Sequence, residues 1–175
     1  MNERIRRRVM KKLYLAAVHG VPREREATLS GYLKKDEIKK EVTVFHNDPP
    51  AGAKKIATRY LVLATSPDGK LSLLEVELLT VRTHQIRAHL ASVGHPLLGE
   101  GKYADNRGDR ARGFKHQALS SYRLVFPGPQ GDLFDYLSDR VFTVPKSSVW
   151  FLSLFPGVGD EVFAAPTEKR KEKPQ

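Results

Sequence analysis

The hydrophobic period changes within one short stretch of the sequence, and this change constrains the fold most. Over residues 74–78 apolar and acidic side chains alternate, which predicts a strand with one buried face. Over residues 86–93 apolar side chains recur at i, i+4 and i+7, which predicts one buried stripe of a helix. Thr83 is placed to cap the start of this helix, Gly94 is placed as its C′ glycine, and Pro96 prevents its continuation. Arg82 therefore stands where a strand turns into a helix, a position from which a rigidly held side chain can face a cleft.

Further apolar runs predict a sheet on both sides of this unit. Leu13–Val18 has the composition of a buried strand, and Leu119–Phe126 predicts another. Thr58–Thr65 and Leu71–Leu79 flank a Ser-Pro-Asp-Gly turn, which predicts an antiparallel hairpin that leads into the helix. Few apolar anchors occur over residues 21–40, so we expect only short edge structure there.

The charge balance indicates a polyanionic partner. The 175 residues carry 30 Lys and Arg against 20 Asp and Glu, a net charge of +10, which favours nucleic acid although many soluble proteins are as basic. There is no cysteine, so neither a disulfide framework nor a zinc–thiolate site can form. No apolar run is long enough to cross a bilayer, and the basic N-terminus lacks the apolar stretch of a secretory signal. We therefore expect a cytoplasmic protein without a membrane partner.

Some stretches of the sequence leave two interpretations open. Met1–Lys12 and Ala104–Lys115 are rich in arginine and lysine and could contact phosphates, but solvated surface segments would look the same. We expect the second of them to be an exposed, mobile loop. Trp150–Phe155 is apolar and is expected to pack on the core, because it would otherwise be an exposed sticky patch.

The stretch that begins at Arg82 resembles a conserved motif of the RluA-type RNA pseudouridine synthases. The family pattern is approximately Gly-Arg-Thr-His-Gln-(Ile/Leu)-Arg-x-His-Leu, followed by Gly-His-Pro and Gly-Asp-x-x-Tyr-Gly. The matching residues are Arg82, Thr83, His84, Gln85, Ile86, Arg87, His89, Leu90, Gly94, His95, Pro96, Gly99 and Tyr103. Three positions depart from the pattern: Val81 and Ala104 replace glycines, and Glu100 replaces an aspartate.

Shorter motifs extend the resemblance to about Lys12–Phe126. The segment that begins at Lys12 and contains Tyr14 fits the family pattern Lys-x-Tyr-x-Ala-x-Val-x-Gly, and Lys54 begins a match to Lys-x-x-x-Thr-x-Tyr. The resemblance implies an α+β fold with a mixed, mainly antiparallel sheet and flanking helices. We expect residues 1–156 to form a partial catalytic domain and residues 157–175 to form a basic, disordered tail, which is rich in Pro, Lys and Glu toward its end.

The resemblance also implies the isomerisation of uridine to pseudouridine in structured RNA, rRNA or tRNA, by one aspartate without a metal or a cofactor. In the family, an arginine at the position of Arg82 pairs with that aspartate and keeps it ionised, because a nearby cation lowers the pKa of a carboxyl. The tyrosine at the position of Tyr14 lies against the extruded base, although without the resemblance a core tyrosine is the simpler interpretation. Weaker candidates for RNA contacts, each of which could equally be a surface or structural residue, are Lys12, Lys54, His84 and Arg87.

Other chemistries are disfavoured by spacing. His84 and His89 are five residues apart, so they do not share a helix face as paired metal ligands do, and we expect both to form structural hydrogen bonds. We therefore expect no metal site. The Gly94–Lys102 stretch lacks the Gly-Lys-Ser/Thr signature of a phosphate-binding loop.

The family's catalytic aspartate has no counterpart in this sequence. The family carries it in His-Arg-Leu-Asp-x-x-Thr-Ser-Gly, tens of residues before the tyrosine motif, whereas every aspartate here follows Tyr14 and none has that motif around it. We expect the chain alone to be inactive and its sheet to have an unpaired edge. Four explanations stay open: a truncated enzyme, an RNA-binding paralogue without catalysis, one half of a split enzyme completed by a partner chain, and an unfamiliar catalyst.

Overall fold

The computed structural model describes residues 10–129, 131 and 135–164, and its main element is one antiparallel sheet. Its seven strands are β1 (Lys11–His19), β2 (Glu26–Asp36), β3 (Glu41–Phe45), β4 (Lys54–Thr65), β5 (Leu71–Leu78), β6 (Leu119–Val125) and β7 (Val141–Thr143). Their order across the sheet is β3-β2-β4-β5-β1-β6-β7, and each pair of described neighbours is antiparallel. The helices are α1 (Gln85–Ser92) and α2 (Arg107–Ala111), and short 3₁₀ helices follow at Asp135–Leu137, Lys146–Ser148, Trp150–Leu154 and Asp160–Phe163.

The predicted α+β class is confirmed, and the predicted hairpin is formed by β4 and β5. The expectation for residues 21–40 was wrong, because β2 is a long interior strand between β3 and β4. It pairs with β4 from Glu26 to Leu33 and buries Gly31 and Leu33. Cross-strand pairing and burial of these few side chains outweigh the weak local pattern.

The centre of the sheet is buried on both faces, which explains the unbroken apolar run of β1. On one face α1 covers β1, β5 and part of β4. The residues packed together there are Ala16, Val18, Tyr60, Leu74, Val76, Ile86, Leu90 and Leu97. On the other face the C-terminal 3₁₀ helices cover β1 and β5, and the largest side chains packed there are Leu15, Leu73, Tyr122, Phe151 and Phe155. The two faces of the sheet thus have separate environments, of which only the first is beside α1.

The helix α1 begins one residue later than predicted, and it ends as predicted. Its N-cap is His84, which has a left-handed φ of 53° and makes no capping hydrogen bond through its side chain, so the expectation for Thr83 was wrong. Gly94 is the C′ glycine with φ of 85°. Its N–H donates to Ala91 O at 3.1 Å, and the N–H of the next residue donates to Leu90 O at 3.0 Å. These are the two hydrogen bonds of a Schellman motif, which needs a residue without a Cβ at this φ.

The C-terminal segment packs on the core, as predicted for Trp150–Phe155, but its first residue remains exposed. Phe151 and Phe155 are buried, whereas Trp150 is 46% exposed. Packing continues past the expected boundary at residue 156, because Val158 is buried and Phe163 lies against the same cluster. Residues 1–9 and 165–175 lie outside the described residues, so most of the expected basic segment Met1–Lys12 and the end of the expected tail are not described. Within the described part, no helix is long and apolar enough to cross a membrane.

Candidate active site

Arg82 lies in the loop between β5 and α1, and the backbone on both sides of it is fixed while its side chain is exposed. Before Arg82, Thr80 Oγ1 accepts a hydrogen bond from the Ala57 N–H at 3.0 Å and donates to Gln85 Oε1 at 3.0 Å. After it, the Gln85 N–H donates to Arg82 O at 3.1 Å. The guanidinium is therefore presented to solvent from a braced loop. Sequence reasoning missed Thr80, because a single threonine between a strand and a helix carries no distinguishing signal.

A buried polar network below this loop attaches α1 to β4. Gln85 Nε2 donates to Thr58 Oγ1 and to Ala57 O, both at 3.0 Å, and Thr58 Oγ1 is also 2.9 Å from His89 Nδ1. Gln85, Thr58 and His89 are all buried. The predicted structural hydrogen bond of His89 is confirmed, and the motif residues Gln85 and His89 orient the helix that follows Arg82.

The buried imidazole of His89 is expected to make stability depend on pH. Burial, with a smaller contribution from the neighbouring His46, lowers the pKa of His89 from 6.5 to about 4. Between these pH values the unfolded chain binds more protons at His89 than the folded chain does. The free energy of unfolding is therefore highest above pH 6.5, and it decreases as the pH falls toward 4. We expect a loss of about 3 kcal/mol from this residue. Urea unfolding at a series of pH values should show a flatter dependence for His89→Gln, and parallel curves would contradict the assignment.

Tyr14 lies at the same end of the sheet as Arg82 and on the face that carries α1. It is half-buried in β1, where its neighbours across the strands are Val76 of β5 and Ser121 of β6, beside an irregularity in the β1–β6 pairing. It packs against the same cluster as Leu78, the last residue of β5, and Arg82 follows four residues later. Burial raises the pKa of the Tyr14 phenol, which therefore stays protonated at neutral pH.

Arg82 differs from several other arginines in having no carboxylate partner within the described residues. Arg59 pairs with Glu26, Arg87 with Glu100, Arg107 with Asp105, and Arg112 with Asp109. An exposed, unpaired guanidinium on a braced loop, at the same end of the sheet as a half-buried tyrosine, is suited to bind a carboxylate or a phosphate that comes from elsewhere. In the described part of the chain, no cluster of His, Asp and Glu could hold a metal ion.

Comparison with known proteins identifies the family. Residues 1–92 match the family model described as RNA pseudouridylate synthase. The chain belongs to the RNA pseudouridylate synthase family. A Bacillus subtilis relative, the uncharacterized RNA pseudouridine synthase YhcT, is 32% identical over 132 residues, which are 75% of this chain and 41% of that protein. A Mycoplasma pneumoniae relative, also named an uncharacterized RNA pseudouridine synthase, is 35% identical over 156 residues, which are 87% of this chain and 47% of that protein.

A solved structure shares the fold. The human protein RNA Pseudouridylate Synthase Domain Containing 1 aligns with a TM-score of 0.67 at 22% sequence identity, over 87% of this chain and 60% of that chain. The chain spans less than half the length of the two curated relatives above. Its likeness to these proteins therefore establishes the family and the fold of the part that is compared.

In this RNA pseudouridylate synthase family member, Glu100 stands where the family pattern has an aspartate, and it forms a buried ion pair. The Glu100 side chain is fully buried and accepts two hydrogen bonds from the Arg87 guanidinium, both at 2.8 Å. It also accepts the backbone N–H of Lys102 at 2.8 Å and that of Tyr103 at 3.3 Å. Burial acts to raise the pKa of Glu100, but the hydrogen bonds and the charge of Arg87 outweigh it and lower that pKa. The pair fixes the 100–103 loop on α1.

His84 and Arg87 are both engaged within the fold. His84 Nδ1 is 2.7 Å from the Tyr103 hydroxyl, and the Arg87 guanidinium lies 5.4 Å from the centre of the Tyr103 ring. Burial, together with the charges of Arg87 and Lys102, lowers the pKa of His84, which favours a neutral imidazole. These contacts support the structural alternative for both residues, and RNA contacts by them stay predictions.

The two predicted lysine contacts lie at the Arg82 end of the sheet. Lys12 is exposed in β1, two residues before Tyr14. Lys54 is the exposed first residue of β4 and precedes Thr58 by four residues. Thr58 pairs with Leu78, the last residue of β5, so Lys54 lies past the end of β5. Their positions are compatible with phosphate contacts at this end of the sheet, and those contacts stay predictions.

Proposed function

We propose that this chain forms part of an enzyme that isomerises uridine to pseudouridine in structured RNA, either rRNA or tRNA, in the cytoplasm. The reaction breaks the bond between uracil N1 and the ribose, turns the base and rejoins it through C5. The observation that carries the proposal is the unpaired Arg82 guanidinium on its braced loop, at the end of the sheet that holds Tyr14, in a member of this family. Arg82 would pair with the catalytic carboxylate, and Tyr14 would lie against the extruded base.

The sequence has no match to the motif that carries the reacting aspartate in the family. A carboxylate can attack or deprotonate the ribose near the glycosidic bond and then leave again, so the isomerisation needs neither a metal nor a cofactor. We propose that an aspartate in polypeptide beyond this sequence, in the same chain or in a partner chain, binds to Arg82. The cation would keep that aspartate ionised by lowering its pKa.

Conversion of RNA by the protein from its source cells tests the proposal. The native protein is purified at its natural length and incubated with total RNA from cells that lack its gene. Pseudouridines are then mapped by carbodiimide modification and primer extension. We expect one or a few uridines to be converted, and the same positions to be unmodified in the deletion strain. Failure to convert any uridine, with the protein folded, would contradict the enzymatic proposal.

A second candidate is an RNA-binding protein without catalysis, and one observation favours it. Within residues 10–129, 131 and 135–164, no carboxylate pairs with Arg82, so the described part contains no complete active site. The same experiment separates the two candidates. RNA retained on the purified protein, together with an unchanged set of pseudouridines in the deletion strain, would favour the binding protein.

A further inference from the structure

One aromatic surface lies away from Arg82 and Tyr14. The rings of Phe114 and Trp150 stack with their centres 6.0 Å apart and an angle of 24° between their planes. The Arg112 guanidinium lies over the Phe114 ring, 5.7 Å from its centre. We call Arg112, Phe114 and Trp150 the aromatic platform. Planar groups in this arrangement can be extended by a further planar group that stacks on them.

The platform is on the other face and at the other end of the sheet from Arg82. Phe114 packs against the cluster under the C-terminal 3₁₀ helices, whereas Tyr14 packs against the cluster under α1. Asp109 of the preceding helix α2 contacts His19, which is the last residue of β1. Arg82 instead follows the C-terminal end of β5, and that end pairs with the first residues of β1. An RNA that contacts both places must extend around the edge of the sheet, as a structured RNA can.

A buried aspartate holds the platform in place. Asp109 Oδ2 accepts the Gly99 N–H at 2.7 Å and lies 2.8 Å from His19 Nε2. Its Oδ1 accepts a hydrogen bond from the Arg112 guanidinium at 2.8 Å, and its backbone oxygen accepts the Phe114 N–H at 2.9 Å. Residues 104–115, expected as a mobile loop, thus contain a short helix that is anchored at Asp109. The anchor fixes Arg112 and Phe114 before any partner binds.

Trp150 is the part of the platform that is open to a partner. It is 46% exposed, although its neighbour Phe151 is buried, and the two rings are nearly perpendicular with 5.4 Å between their centres. It is the only tryptophan in the sequence. A large aromatic side chain kept at the surface, and stacked on a second ring that contacts an arginine, is an arrangement that binds nucleobases without base specificity.

The charge around the platform favours a polyanion. Arg110 and Lys115 lie within two residues of Arg112 or Phe114 in the sequence, both are exposed, and neither forms an ion pair with another described residue. The acidic side chains of the same segment are already paired, Asp105 with Arg107 and Asp109 with Arg112. Exposed cations in the segment that supplies Arg112 and Phe114, together with an open aromatic ring, combine phosphate attraction with base stacking.

We propose that the aromatic platform binds an unpaired nucleobase of the RNA by stacking on Trp150, with Arg110 and Lys115 contacting the adjacent phosphates. This second RNA contact goes beyond the proposed active site and does not depend on whether that site is catalytic. The partner is single-stranded RNA or an unpaired segment of a folded RNA, because bases inside a duplex do not expose their faces.

The fluorescence of Trp150, taken as the emission that is lost in Trp150→Phe, tests the proposal directly. Titration of the protein with an oligouridylate of about 12 nucleotides should quench the Trp150 emission saturably, with the midpoint rising as salt is added. Inorganic polyphosphate, a polyanion without bases, should bind with little quenching. Unchanged emission on saturation with the oligouridylate, or equal quenching by polyphosphate, would overturn the proposal.

Substitutions test whether the ring supplies affinity. Trp150→Ala should weaken binding of a fluorescently labelled oligouridylate about tenfold, whereas Trp150→Phe should retain most of the affinity. Phe142→Ala is the matched control, because Phe142 is 50% exposed and lies outside the platform. Equal affinities of Trp150→Ala and the wild type, with both folded by circular dichroism, would overturn the proposal and leave a protein partner as the interpretation of this surface.

The outcome for the platform can be separated from that for the active site. If Trp150→Ala binds the oligouridylate normally while the native protein forms pseudouridine, only the platform is refuted. If Trp150 emission is quenched and Trp150→Ala weakens binding, but no uridine is ever converted, the platform stands and the proposed catalysis fails.

Discussion

Replacing Arg82 with alanine is expected to slow pseudouridine formation about a thousandfold, while the affinity for RNA changes only a few-fold. Removing one partner of a desolvated, hydrogen-bonded charge pair costs about 3–5 kcal/mol, and about 4 kcal/mol corresponds to a thousandfold in rate. The loss falls on the chemical step, because Arg82 would act on the carboxylate rather than on the RNA backbone. If Arg82 were mainly a phosphate contact, affinity and its salt dependence would fall instead.

Single-turnover kinetics with the native-length protein measure this effect. The matched control is Arg59→Ala, which removes an exposed arginine that already pairs with Glu26, on the sheet face opposite to Thr58 and His89. Arg82→Lys should recover part of the rate, since it keeps the charge and loses the paired geometry of the guanidinium. In Arg82→Ala, the acid limb of the pH–rate profile should move to higher pH, because the carboxyl loses the cation that lowers its pKa. An unshifted limb would contradict the electrostatic role.

Replacing Glu100 with alanine is expected to lower the free energy of unfolding by about 3–5 kcal/mol, a large effect for one substitution. The Glu100 side chain is fully buried, and that of Arg87 is only 18% exposed. Without the carboxylate, a largely buried guanidinium loses its partner, and the backbone N–H groups of Lys102 and Tyr103 lose their acceptor. Denaturant unfolding of the variant should show a lower midpoint with an unchanged slope.

Two further variants define the cause of that loss. Glu100→Asp restores the family's usual residue and keeps the negative charge, so it should lose less stability than Glu100→Ala. Glu37→Ala removes an exposed partner of Lys35 and should leave stability unchanged within error. A loss from Glu37→Ala as large as that from Glu100→Ala would show that burial of the Arg87–Glu100 pair is not the reason.

The local sequence pattern was sufficient to predict an element where the residues that determine its structure are neighbours in the sequence. The β4–β5 hairpin follows from two alternating runs around a Ser-Pro-Asp-Gly turn, and the end of α1 follows from the φ that Gly94 alone tolerates easily. The extent of β2 could not be predicted, because it depends on pairing with β4 some thirty residues away. The choice of His84 as the N-cap of α1 likewise involves a distant residue, because the His84 ring contacts the Tyr103 hydroxyl.

The candidate site divides in the same way. Arg82 and Tyr14 were predicted from motifs, and in the structure both lie at the same end of the β1–β5 strand pair. The brace by Thr80 and the pairing of Arg87 with Glu100 could not be predicted, since both depend on which side chains meet in three dimensions. The exposure of Trp150 could not be inferred either, because an apolar run does not reveal which of its aromatic residues stays outside the core.

Mapping pseudouridines in cells tests the central claim most directly. In one strain the only copy of the gene is wild type, and in the other it encodes Arg82→Ala, with equal protein levels verified by immunoblot. RNA from both strains and from the deletion strain is mapped at single-nucleotide resolution. We predict that the positions lost in the deletion strain are restored by the wild-type gene and remain unmodified with Arg82→Ala. Full modification of those positions in the Arg82→Ala strain, or no lost position in the deletion strain, would contradict the account.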